Sequence, residues 1–130
     1  MASSLLSIDP TLRLKTNTAN KAFYDKIVDE KKIFTTKYQL YTYAIMVAIL
    51  KDATPDTSVK TLDICQVKNA KNEPENFEVA TGLVAHLSPD VTNGSELIKR
   101  MNEYADAGIT ILQADYESNE GELSLDAFID

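Results

Sequence analysis

Between Tyr38 and Leu50 the chain reads YQLYTYAIMVAIL, in which only Gln39 and Thr42 are neither apolar nor aromatic. A helix without a polar face belongs at the centre of a bundle. Thr35 or Thr36 supplies an N-cap, so the pattern predicts a central helix over about 37–51, roughly 22 Å long. Upstream, Phe23 and Ile27 are four apart, as are Tyr24 and Val28. That spacing predicts an amphipathic helix from a Thr18 cap to about Lys32.

Downstream, Phe77, Ala80, Leu83, Val84 and Leu87 have helical spacing behind Pro74, a residue suited to a first turn. Gly82 either weakens this third helix or admits a close neighbour. Leu97, Ile98, Met101, Tyr104 and Ala105 mark a fourth helix, capped by Ser95 and stopped by Gly108. Residues 61–67 and 109–114 read as short strands, with helix the alternative for both. The first 17 residues lack periodicity and read as an arm, anchored by Leu5, Leu6, Leu12 and Leu14. The fold class is therefore mainly α: a compact bundle of four to five helices around the central apolar helix, with two short β-strands. The organisation is an N-terminal arm at 1–17, a helical domain at 18–116, and an acidic tail at 117–130 with a short amphipathic helix near 123–129.

At 130 residues the chain is long enough for one core and too short for two. A single cysteine, Cys65, cannot form an internal disulfide, which fits a reducing compartment. No signal-peptide pattern develops before Asp9-Pro10, and the longest strongly apolar stretch, Ala44–Leu50, is far short of the roughly 20 residues that span a bilayer. The expectation is a cytoplasmic protein that does not enter the membrane.

Charge is polarised. Up to residue 60 there are nine basic and six acidic residues; after it there are four and fourteen, so +3 gives way to −10. Such a chain does not coat nucleic acid along its whole length, but it can present two electrostatic faces. The basic face consists of Arg13, Lys15, Lys21, Lys26, Lys31, Lys32 and Lys37, a candidate contact for a partner or for DNA phosphates. The acidic face consists of Asp115, Glu117, Glu120, Glu122 and Asp126, a candidate docking surface for a basic partner or for the chain's own basic segment. A helix-turn-helix reading fails, because its second helix would be the apolar one, with nothing polar to offer to bases.

Catalytic signatures are sparse. The acidic run after Asp115 is one residue out of register with a calcium-binding loop. No glycine-rich phosphate loop, paired-cysteine metal spacing or serine elbow occurs. His86, the only histidine, reads as a boundary residue with one hydrogen bond, and Cys65 as a buried structural thiol; a Cys65–His86 hydrolase is the catalytic alternative. No cofactor or metal site is expected. The leading function is a non-catalytic accessory or adaptor protein that binds another protein, with weak sequence-independent DNA binding as the alternative.

Two blocks carry a resemblance. FYDKIVDEKKIFTTKYQLYTYAIMVAIL, Phe23–Leu50, and NEYADAGITIL, Asn102–Leu112, together resemble a small protein family encoded beside DNA phosphorothioation (Dnd-type) defence genes in prokaryotes. Where that family typically has a glycine after the apolar helix, this chain has Lys51-Asp52. The resemblance implies an accessory role in a DNA-modification or restriction system and carries over no site residues.

Overall fold

A computed structural model describes residues 8–70 and 74–119. Strand β1 (Arg13–Thr16) comes first. One continuous helical segment follows, made of a 3-10 turn (Thr18–Asn20), the single α-turn α1 (Lys21–Tyr24) and a π-helical stretch (Asp25–Glu30). Then come α2 (Lys37–Leu50), β2 (Leu62–Gln66), α3 (Val67–Ala70), α4 (Pro74–Leu87) and α5 (Gly94–Ser118). The fold is mainly α with a small two-stranded antiparallel sheet.

Local chemistry sets the helix ends. The Thr36 hydroxyl accepts from the Gln39 N–H, while the Gln39 side chain accepts from the Thr35 N–H, a reciprocal cap that starts α2. Its C-terminus closes with Asp52 N–H donating to Ile49 C=O and Ala53 N–H to Ala48 C=O. This paired closure requires a left-handed residue between helix and loop. Asp52 fills it at φ 53°, a conformation that glycine adopts more readily. Asn93, rather than Ser95, caps α5 by accepting from the Glu96 N–H, and Glu96 accepts in return from Thr92. Asn17, rather than Thr18, caps the first helical segment.

The expected stripe on the first helix is present: Phe23, Tyr24, Ile27 and Val28 are all buried. Helix α2 packs most extensively against α5. Ala44 and Gly108 meet where these helices cross, with their backbones in contact. Gly108 was expected to stop the helix and open a strand at 109–114. Instead α5 runs unbroken to Ser118, with Ile109 and Leu112 fully buried. The glycine removes the side chain that would hold the helices apart, and packing along the crossing outweighs its low helix propensity. Gly82 has open space around it, so the close approach considered there occurs at Gly108.

The second strand lies in the expected arm. Leu14 and Thr16 of β1 are fully buried, and Arg13 and Leu14 pair with Gln66 and Cys65 of β2. A register irregularity follows Leu14. The other edge of β1 is covered by side chains of α5. The Lys15 N–H donates to Asn102 Oδ1 at 3.1 Å, and the Asn17 N–H to Asp106 Oδ2 at 3.0 Å. Four residues along a helix rise about 6 Å, and two residues along a strand about 6.6 Å. Asn102 and Asp106 therefore match the N–H spacing of a strand edge, and a helix satisfies donors that a third strand would otherwise take.

Candidate interaction surfaces

Asp106 is fully buried and forms the centre of the polar core. It accepts from the Thr16 hydroxyl and the Asn17 N–H, and pairs with Lys60 Nζ at 2.9 Å. The Lys60 ammonium also donates to Asp56 C=O and to Ser58 Oγ. Beside this cluster, Tyr41 donates its hydroxyl to Asn102 at 2.7 Å. The Tyr24 hydroxyl is buried without a hydrogen-bond partner, and burial, reinforced by Asp106, pushes its pKa well above the usual phenol value. Both carboxylate oxygens of Asp106 are engaged by groups of its own chain. This arrangement fixes the loop at 56–61 and β1 onto α5.

The catalytic alternative fares poorly in this geometry. Cys65 is half-buried on β2, and burial pushes its thiol up to about 11. Reactive cysteines move the other way, towards a thiolate at neutral pH. His86 is exposed rather than at a boundary, and it hydrogen-bonds to none of the described residues. Among those residues no group of three or more His, Cys, Asp or Glu could hold a metal ion.

The basic set is partly spent on internal pairs. Arg13 meets Asp63 at 3.3 Å, and Lys21 and Lys37 converge on Asp25 at 2.6 and 3.1 Å. These contacts hold the Asp25 carboxyl below its usual value, the Lys21 hydrogen bond contributing most. Lys15 is half-buried beside β2. Lys26 lies 6.0 Å from the Tyr116 ring centroid, and Lys26, Lys31 and Lys32 are exposed. Of the acidic set, Asp115 and Glu117 ride the last turns of α5. Glu120, Glu122, Asp126 and the short helix expected near 123–129 lie outside the described residues.

The surface that sequence reading missed is apolar. Helix α2 was expected to be enclosed on all sides, yet one side is left open. Leu50 is 58% exposed, and Met46 is only partly covered. Across from Met46, Val79 on α4 is 52% exposed. Between α2 and α4 lies a groove of about 370 Å³ lined by Phe34, Gln39, Thr42, Tyr43, Met46, Val79 and Ala80. Phe34 and Tyr43 form one wall, their rings tilted with centroids 5.3 Å apart. The same Phe34 borders a second depression lined by Val28, Asp29, Lys32 and Thr35. Phe34 thus joins the apolar groove to a depression that carries one cation and one carboxylate, Lys32 and Asp29. The sequence signal was Val79, which falls off the stripe of Phe77, Ala80 and Val84 and so points outward.

Comparison of the chain with protein-family models, curated proteins and solved structures finds no match. Among the described residues no helix is long and apolar enough to cross a membrane.

Proposed function

We propose that this protein is a non-catalytic adaptor that binds another protein by taking an apolar segment into the groove between α2 and α4. The observation that carries this reading is the open side of the most apolar helix: Met46 and Tyr43 beside Phe34 and the outward-facing Val79. Clustered apolar groups with a charged rim are the usual mark of a recognition surface. The resemblance to the Dnd-associated family supplies the setting we propose for the partner, a DNA-modification or restriction complex. In support, the two resembling blocks contribute the Tyr41–Asn102 bond and the Ala44–Gly108 crossing.

The test is affinity capture of the full chain from nuclease-treated lysate. A stoichiometric protein partner, retained at raised salt and lost with Val79→Asp or Met46→Asp, is the expected result. Capture unchanged by both substitutions would remove the groove from the mechanism. The DNA reading predicts the reverse pattern: binding that vanishes with nuclease, weakens steeply with salt and fails in a Lys31→Glu, Lys32→Glu variant.

A further inference from the structure

We infer that the π-helical stretch Asp25–Glu30, with Lys32 behind it, is a two-state joint that rewinds to α-helix and carries Phe34 with it, so setting the shape of the groove between α2 and α4. The motion stands on its own observations, and its consequence for docking rests on the adaptor reading.

Nothing in the local sequence asks for a π-helix. From Lys21 to Lys32 there is neither glycine nor proline, and most residues are ordinary α-helix formers. Yet past Tyr24 the ladder widens. The Lys31 N–H donates to Lys26 C=O at 2.8 Å, five residues back, and the Ile33 N–H to Ile27 C=O at 3.0 Å, six back. Such winding is rare and occurs mostly as single turns, frequently at functional sites.

Two further costs fall at the same joint. The chain leaves the stretch through Lys32 at φ 52°, a left-handed conformation that a residue with a Cβ disfavours. Tyr24, the last residue before the widening, buries its hydroxyl without a hydrogen-bond partner. Against these costs stand the burial of Ile27 and Val28 and the grip of Asp25, whose carboxylate takes Lys21 on one side and Lys37 of α2 on the other. That grip holds the two ends of the joint, while Asp29, Glu30, Lys31 and Lys32 between them are exposed and free to rewind. Strain held by compensating contacts is the usual mark of a switch region, and the minor state of such a pair is populated at about 0.1–10%.

Rewinding gives the Lys31 N–H the Ile27 carbonyl, four residues back, in place of Lys26. Lys32 then enters the helical region, and the backbone beyond it turns about the helix axis. Phe34 is two residues further on. Its ring tilts against Tyr43 as a wall of the groove, and it also borders the depression that holds Asp29 and Lys32. Joint and groove therefore share one side chain, and a partner that fits one position of Phe34 selects one winding. By linkage, whatever favours one winding changes the groove's affinity by the same factor.

The experiment records relaxation-dispersion and saturation-transfer NMR profiles on the isotope-labelled full chain without a partner. The expected result is one shared exchange process over residues 25–34 and Tyr43. Its minor-state Cα shifts should match those of a variant lacking Glu30, in which one residue fewer closes the ladder as α-helix. Lys32→Gly, which favours the left-handed state, should lower the minor population about tenfold. Circular dichroism shows that both variants are folded. Flat profiles across 25–34 overturn the inference. So does exchange that Lys32→Gly leaves untouched, or that stops short of Phe34 and Tyr43. Any of these failures, combined with partner capture still lost in Val79→Asp, leaves the adaptor reading standing; capture that survives Val79→Asp removes that reading, while the profiles alone decide the motion.

Discussion

Two glycines in helices α4 and α5 answer the same substitution with opposite signs. A Cβ at Gly108 would overlap the carbonyl group of Ala44, backbone that cannot swing aside, whereas at Gly82 it would meet nothing within 4 Å. Gly108→Ala is expected to lower stability by about 3 kcal/mol or more, the upper end of overpacking costs. Gly82→Ala is expected to raise it by roughly 0.5–1 kcal/mol through helix propensity. Urea midpoints of the two variants check both signs. At Asp52, φ 53° is a conformation that glycine adopts without strain, so Asp52→Gly should stabilise by up to about 1 kcal/mol. The Cys65 thiol, raised from 9.0 to about 11, favours the folded state fully below pH 9. That contribution is lost as pH rises towards 11, because the unfolded thiol ionises first. Alkylation of native Cys65 near pH 8 should accordingly be about a hundredfold slower than in the urea-unfolded chain, a ratio that follows from the thiolate fraction.

At the scale of elements, α5 acts as both a helix in the bundle and an edge for the sheet. Asp106→Ala would leave the Lys60 amine, only 10% exposed, without its carboxylate and the Thr16 hydroxyl and Asn17 N–H without their acceptor, and should cost about 3–5 kcal/mol. Lys60→Met should cost less, since Asp106 keeps its bonds from Thr16 and Asn17. A thermal melt series on the two variants decides the order. This duality also explains what could be read from the sequence. The central helix, a threonine cap at 35 or 36 and the Phe23/Ile27 stripe follow from spacing between near neighbours, whereas 61–67 fits strand and helix alike. β1 and the continuity of α5 do not follow from such spacing. Leu14 and Thr16 are too short a pattern to announce a strand, and its donors are matched by Asn102 and Asp106, nearly ninety residues away. Gly108 looks like a helix stop until Ala44 is placed opposite it. The groove was hidden for a related reason: whether Met46 faces core or solvent is decided by where α4 lies.

For the molecule as a whole, acid should act through surface carboxylates. Asp25, bonded by Lys21 and Lys37, and Asp90, bonded by Arg100, both sit below their usual 3.8. Their contribution is complete above that value and lost as pH falls through the lower folded-state values. Asp25→Asn and Asp90→Asn should each flatten the acid limb of stability against pH, as followed by urea unfolding through the carboxylate range. The pairing of α2 with α5 has a further consequence, for synthesis on the ribosome. The partners Tyr41 and Asn102 are 61 residues apart, and Thr16 and Asp106 are 90 apart. At roughly 5–20 residues per second, the apolar α2 emerges about 3–12 s before the helix that covers it. During that interval the growing chain exposes the largely apolar Tyr38–Leu50 without its main partner helix, so holdase chaperones are expected to bind the nascent chain most while codons 50 to 112 are translated.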